Sequence, residues 1–517
     1  MSGAGGLCGG VCSEKTCIGL TSTLLEVSSS SAEIGMQNLK GMIVRGGFAT
    51  LSGRAANLVL RLGVMAALAR MLDPRDFGLV AMTVAVTGVF RLLDISCATV
   101  QSDTITDEQI STLFWINLLI GTIFGLLCAA IAPALVKFYH EPRLFWLTVV
   151  TGAGFVLSAL AVQHSALLRR QLRYTTLTII ELLSQLASVA AGVGMALGGL
   201  GYWAILGMTM VSTAVYAVCV WGATGWIPGP PRRTAGVRNM LSFGGIITLQ
   251  NVVVYVAYNF EKLLLGRYWG ADALGIYERG YRLANLPTAE LNAAIGEVAF
   301  AGLSRIQNDP ARLRSYFLKG YTLVLSMTLP ITIFCAVFVD DIIGLLLGPK
   351  WKDVAVIFRL LTPTILIFGI INPFAWLMYS TGLQVRGLKI DLMLAPVVIA
   401  AYIIGLPYGP RGVAFAYSAA MILWCVPHVL WCVHGTLISP RAVLVAAGRP
   451  LVAGTVAAAV ALVAQFYLGE SDAHFWKLLI GGGTIVAIYS WVLLFLMGQK
   501  TFYFGLYQEL KSSFALR

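Results

Sequence analysis

Long apolar blocks separated by short polar loops run along the chain from about residue 46 to residue 497. They fall near 46–69, 77–98, 112–132, 144–164, 175–198, 202–222, 243–266, 285–304, 318–339, 355–379, 390–406, 411–434, 449–468 and 475–497. Most approach the roughly 20 residues that a helix needs to cross about 30 Å of hydrocarbon. None shows the short alternating segments of a spanning β-barrel. The pattern predicts an all-α polytopic membrane protein with about 14 transmembrane helices. The block at 285–304 is the least apolar, and it spans only if its polar side faces protein or water. Residues 1–35 are rich in Ser, Gly and Cys and read as a disordered tail, or as an over-long start with the first residue at Met36. They have no basic region ahead of an apolar run, unlike a secretory signal. At the other end, Phe502, Leu506, Leu510 and Phe514 recur at spacing four, which predicts a short helix lying in the interface.

Composition sharpens this reading. Of 517 residues, 58% are hydrophobic and 12% charged, against about 25% charged in a soluble domain. The net charge of +12 raises the question of nucleic acid. The basic residues, however, gather in alternate short loops, such as 165–174, 223–242 and 305–319, where Lys and Arg fix membrane orientation. No nucleic-acid partner is expected, and both termini are expected on the inner, cytoplasmic side of the membrane. The longest loop, 223–242, is too short for an extramembrane catalytic domain of about 50 residues. Most of the nine cysteines, including Cys97, Cys128, Cys219 and Cys335, lie singly in apolar blocks and read as small hydrophobes. Cys8, Cys12 and Cys17 cluster near the start with no histidine close by, a weak metal signal.

The chain repeats itself. Ala69-Arg70-Met71-Leu72-Asp73-Pro74-Arg75-Asp76-Phe77-Gly78-Leu79, after the first block, aligns without a gap on Gly266-Arg267-Tyr268-Trp269-Gly270-Ala271-Asp272-Ala273-Leu274-Gly275-Ile276, after the seventh. A second echo pairs Leu200-Gly201-Tyr202-Trp203-Ala204 with Arg411-Gly412-Val413-Ala414-Phe415. Together they predict two six-helix lobes, at 40–222 and 243–434, related by a pseudo-twofold along the membrane normal. Residues 223–242 then form a cytoplasmic linker, 449–497 two extra helices, and 500–517 the interfacial tail.

Charges inside apolar blocks are expensive and mark candidate sites. Arg54 and Arg61 lie seven apart in the first block and share a face. Arg91 and Asp94, in the second, stand at i, i+3 and can pair. Glu261 and Lys262 close the seventh block, and Glu290 and Glu297 share a face of the eighth. Arg54, Arg61, Arg91 and Lys262 can line one positive, wet chamber between the lobes, suited to an anionic substrate that arginine grips bidentately. Asp94, Glu261, Glu290 and Glu297 are either structural partners of these cations or ion-coupling carboxylates. Glu181 reads as a structural anchor. Prolines at 330, 363, 373, 396 and 427 are expected to kink or break their helices. There is no Gly-rich phosphate loop, no metal-ligand spacing among the dispersed histidines and no visible catalytic triad, so neither cofactor nor enzymatic activity is expected.

Several motifs resemble a known family. They are Leu68-Ala69-Arg70-Met71-Leu72-Asp73-Pro74-Arg75-Asp76-Phe77-Gly78-Leu79-Val80-Ala81-Met82, Thr106-Asp107-Glu108 leading to Phe114-Trp115, and Asn259-Phe260-Glu261-Lys262-Leu263-Leu264-Leu265-Gly266-Arg267. Further along come Leu274-Gly275-Ile276-Tyr277 with Tyr281-Arg282-Leu283, and Leu303-Ser304-Arg305 with Asp309-Pro310. From about Lys40 to residue 500 the chain resembles the bacterial polysaccharide-transporter family of lipid-linked oligosaccharide flippases. That family lies within the multidrug/oligosaccharidyl-lipid/polysaccharide exporter superfamily, and the likeness is strongest to the branch serving colanic acid and succinoglycan. The resemblance implies two lobes opening alternately to either side and a polyprenyl-pyrophosphate oligosaccharide substrate. It implies cavity cations that hold the pyrophosphate, for which Arg54, Arg61, Arg91 and Lys262 are the candidates. It also implies a cycle driven by an ion gradient, of H+ or Na+, and work beside a polymerase and co-polymerase. Where relatives often carry Asp before the Lys of the seventh span, this chain carries Glu261. Two rival readings remain: a multidrug/cation antiporter of the same superfamily, which favours an acidic or apolar cavity, and a polytopic polysaccharide polymerase, which needs a long outer loop.

Overall fold

A computed structural model describes residues 58–92, 106–231, 245–468, 474–501, 503–505 and 508. Those residues are overwhelmingly helical, with no strand among them. We number the helices α1 (58–71), α2 (Pro74–Thr87, extended by a 3-10 turn Gly88–Leu92), α3 (Asp107–Tyr139), α4 (Leu144–Arg170), α5 (Tyr174–Leu197) and α6 (Tyr202–Thr224). There follow α7 (Gly245–Arg305), α8 (Pro310–Val337), the short α9 (Val339–Leu346), α10 (Lys352–Ser380), α11 (Gln384–Gly405), α12 (Gly409–Val433), α13 (Pro440–Leu468) and α14 (His474–Trp491). Among the described residues, nine stretches are long and apolar enough to cross a membrane. One of them, Gln384–Val433, is the α11–α12 hairpin.

Local chemistry sets the helix starts. The Asp73 N–H donates to the Asp76 carboxylate at 3.2 Å ahead of Pro74, whose fixed φ suits a first helical turn. At α3 the box is reciprocal: Gln109 N–H donates to the Thr106 hydroxyl at 3.3 Å, and Thr106 N–H to the Gln109 side chain at 3.0 Å. The motif Thr106-Asp107-Glu108 is therefore a helix N-terminus, with two acids on the positive end of the dipole. Asp309 caps α8 by accepting from Arg312 N–H at 3.1 Å.

Three departures from the sequence expectation have physical causes. Residues 271–284, expected as a loop before the eighth span, are helical, because α7 bends at Gly270 (φ 81°, ψ −178°) and continues to Arg305. Glu278 and Arg279 in this arm are buried against protein, so polarity there does not signal a loop. The helices also run unbroken through Pro330, Pro363, Pro373, Pro396 and Pro427. Neighbouring helices tolerate such prolines in a membrane bundle, and the sharp break falls at a glycine instead. The second echo shifts as well. Positive φ falls just ahead of α6 at Gly201 (52°) and on the first residue of α12 at Gly409 (69°), whereas Gly412 lies inside α12. Pro410 near the helix start begins α12 about a turn earlier than α6.

Packing sorts the helices into one group of α3–α6 and another of α7, α8 and α10–α12, with α13 and α14 laid against α8 and α9. Helix α2 packs across the boundary onto α7. The largest hydrophobic core sits at the end of the bundle where α1 turns into α2, and it draws Leu68, Phe77, Leu79 and Met82 together with Leu265, Leu274, Tyr277 and Trp351. This end is closed. Trp351 Nε1 donates to the Ala69 carbonyl at 2.7 Å, and its ring meets Phe77 edge-on at 5.5 Å. The Arg279 guanidinium lies 3.7 Å from the Phe77 ring centre, and Arg70 donates to the Leu345 carbonyl at 2.9 Å. Lys350 reaches Asp73 at 3.4 Å.

Candidate functional site

A cavity of about 670 Å³ lies between α1, α4, α5, α6 and the second arm of α7. Arg61 and Glu290 form its bridge across the helix groups: Nη1 stands 3.2 Å from Oε1, with the side chains 61% and 29% exposed. An arginine at the centre of a bilayer costs roughly 2.5–3.5 kcal/mol even on the mildest scale. A charge within this apolar block therefore calls for a polar setting, and Arg61 has both the cavity and the Glu290 carboxylate to meet it. The far wall carries Arg169 on α4, Glu181 and Gln185 on α5, and Tyr216 on α6. An adjoining hollow of about 310 Å³ is lined by Phe90, Phe124 and Asn117, and shares Ser158 and Thr213 with the main cavity. The Asn117 amide nitrogen is buried there without a hydrogen-bond partner among the described residues.

The remaining sequence candidates fall elsewhere. Lys262 does not line this cavity. It is 8% exposed and pairs with Glu278 across the Gly270 bend at 3.0 Å, and Arg282 shares that carboxylate at 3.1 Å. Glu261 is fully buried, and neither of its oxygens has a hydrogen-bond partner among the described residues. It lies within electrostatic reach of Tyr277, Tyr402 and Tyr417, whose hydroxyls are likewise unpartnered among the described residues. The rings of Tyr402 and Tyr417 stack at 5.5 Å, and Tyr281 stacks on Tyr277 at 6.0 Å. Arg54 and Asp94 lie outside the described residues, as do the side chains of Arg91 and Glu297, the N-terminal cysteines, most of the 223–242 linker, and all four residues of the tail stripe, Phe502, Leu506, Leu510 and Phe514. No group of three metal-ligating side chains occurs among the described residues.

Sequence reasoning overlooked Arg169, Gln185 and Tyr216 as site residues. Arg169 follows the fourth apolar block and reads as a loop cation, yet α4 continues through Arg170 and carries it into the cavity wall. Its spacing of four from Ser165, which also lines the cavity, is the signal that places both on one face. Glu278 also escaped notice, because only the bend at Gly270 brings it beside Lys262.

The sequence pattern of a family described as polysaccharide biosynthesis protein matches residues 67–356. The chain belongs to that family. The matched stretch takes in the elbow at 69–79, the cavity helices α4–α6, both arms of α7 and Trp351. Teichuronic acid biosynthesis protein TuaB of Bacillus subtilis (strain 168) is 25% identical over 295 residues, which are 56% of this chain and 60% of that protein. Lipopolysaccharide biosynthesis protein WzxC of Escherichia coli (strain K12) is 26% identical over 366 residues, 68% of this chain and 73% of that one. Among solved structures, lipid II flippase MurJ in an inward closed conformation superposes with a TM-score of 0.69 at 17% identity, over 90% of this chain and 99% of that one. That likeness establishes the fold, a polytopic helical transporter architecture, and the chain is a multi-pass bacterial membrane protein.

Proposed function

We propose that this protein flips polyprenyl-pyrophosphate-linked oligosaccharide repeat units across the bacterial inner membrane, for exopolysaccharide or lipopolysaccharide synthesis. It is a transporter and makes or breaks no covalent bond. The observation that carries this reading is the Arg61–Glu290 pair in a cavity that is lined from two helix groups, in a bundle shut at one end. Both termini are cytoplasmic, so the closed elbow faces outward and the substrate enters from the inside. The names of TuaB and WzxC, for teichuronic acid and lipopolysaccharide biosynthesis, support the substrate class, and the fold shared with the lipid II flippase MurJ supports movement of a lipid-linked head group.

Arg61 and Arg169 hold the pyrophosphate, because a planar guanidinium binds two phosphate oxygens at once and keeps its charge. Glu290 keeps Arg61 extended into the cavity until the anionic substrate competes for it. The glycan occupies the cavity and the adjoining hollow at Asn117, while the polyprenyl chain stays in lipid. Glu261 couples transport to an ion gradient: an unpartnered carboxylate in a dry core takes up a proton or a sodium ion to offset the cost of its burial. The flipped unit passes to the polymerase and co-polymerase of the pathway. The reading is tested by polymer export from cells that rely on this chain. Arg61→Glu should abolish export while leaving the protein in the membrane, and normal export from that variant would overturn the cavity assignment.

A further inference from the structure

At the end of the bundle remote from the elbow, α8 and α13 run side by side and leave a cleft of about 510 Å³. Four cations edge it: Arg314 and Lys319 on α8, and Arg441 and Arg449 on α13. No acidic residue lines the cleft, and none of the four makes an ion pair among the described residues. Arg312 nearby shows the contrast, since Asp309 neutralises it at 3.1 Å.

The cleft is built rather than accidental. Arg314, Leu318 and Thr322 recur every four residues on α8, and Arg441, Val445 and Arg449 do so on α13, so each set forms one stripe facing the cleft. The Thr322 hydroxyl donates to the Ala446 carbonyl at 3.3 Å and fixes the floor. Ser439 caps α13, accepting from Ala442 N–H on its hydroxyl at 3.3 Å, and this positive helix end adds to the field. Gln499 closes the cleft. It is only 6% exposed. Four cations with no acidic neighbour, beside the amide of Gln499, suit an anion with acceptor oxygens. Alongside, the lipid-facing surface of α13 is apolar and open: Leu444 is 70%, Val445 67% and Val452 47% exposed. The fitting ligand is anionic at one end and apolar at the other.

We propose that this cleft binds the phosphodiester headgroup of an anionic glycerophospholipid, with its acyl chains along the apolar face of α13. Basic pockets between spans at the cytoplasmic interface suit this chemistry. The site lies outside the Arg61 cavity and needs no transport to be observed.

The test is native mass spectrometry of the full chain in neutral detergent, titrated with phosphatidylglycerol, cardiolipin or phosphatidylcholine. The anionic lipids should bind at least about tenfold more tightly than phosphatidylcholine, and each Arg→Gln change at 314, 441 or 449 should weaken them about fivefold. The triple Arg→Lys variant should keep the preference, which guards against a misfolded Gln variant. Inorganic phosphate at equal concentration should not displace the lipid. Equal binding of anionic and zwitterionic lipid, an unaffected triple Gln variant, or displacement by inorganic phosphate would each overturn the proposal.

Discussion

Gly78 and Gly275 contact each other's helix in the same way from opposite sides. A methyl group on Gly78 would overlap the Ala271 carbonyl, and one on Gly275 would overlap the Pro74 carbonyl. The two positions are 197 apart in the aligned repeat, and so are Pro74 and Ala271. The crossing of α2 on α7 is therefore a local twofold, made by backbone meeting backbone where only glycine fits. It sits at the closed end, beside the Trp351–Ala69 hydrogen bond.

Alanine at either glycine should push the elbows apart. Overpacking of this kind costs about 1–3 kcal/mol, and the cost falls on the closed form. With cysteines at Asp73 and Lys350, whose side chains meet at 3.4 Å, a short bis-methanethiosulfonate, which forms a disulfide with each thiol and releases methanesulfinate, should join the elbows quickly in the parent. Gly78→Ala and Gly275→Ala should slow that reaction. Unchanged cross-linking would mean that the crossing does not control closure.

Trp351→Ala should destabilise the same end. The change removes a hydrogen bond and a fully buried ring packed on Phe77, and such truncations cost about 3–5 kcal/mol. A lowered melting temperature in detergent is expected, together with greater exposure of the elbow to proteases. A melting temperature equal to the parent's contradicts the assigned packing.

Breaking the Lys262–Glu278 pair should also be costly, because it leaves the buried Glu278 carboxylate to the more exposed Arg282 alone. Removing one partner of such a pair typically costs about 3–5 kcal/mol. Lys262→Met should lower thermal stability, and adding Glu278→Gln should recover part of the loss. A double variant no better than the single one would show that the pair does not bind the arms of α7 together.

Much of this architecture is legible in the chain because its signals are local. Asp73-Pro74, Thr106 with Gln109, and Asp309-Pro310 mark helix starts by capping chemistry, and the apolar blocks mark the crossings. Arg61 stands out as a charge that hydrocarbon does not accept. What stayed hidden depends on contacts between distant segments. Glu278 looks like loop polarity until the Gly270 bend lays it beside Lys262. Arg169 looks like an orientation signal until α4 extends past its apolar block. Nor does the chain announce that Glu261, next to a lysine, leaves that lysine to another carboxylate.

Glu261→Gln tests the coupling role without a large structural change. The amide is nearly isosteric and carries no charge to bury, so the variant should be at least as stable as the parent. Transport in proteoliposomes should continue to completion down a substrate gradient but lose its response to an imposed proton or sodium gradient. An undiminished response to both gradients would remove Glu261 from the coupling step.

Exchanging the partners separates holding from binding at the cavity bridge. Arg61→Glu with Glu290→Arg keeps an ion pair between α1 and α7, so expression and thermal stability should match the parent. Flipping should stay impaired, because the guanidinium now projects from the opposite wall. Full recovery of flipping would make the pair purely structural.

The most direct measurement follows a polyprenyl-pyrophosphate oligosaccharide between leaflets of proteoliposomes that contain only this chain. The parent should move the intact lipid-linked unit, chemically unchanged, and Arg61→Glu should move it no faster than protein-free vesicles. Equal movement by that variant, or none by the parent while it remains folded in the bilayer, would contradict the account.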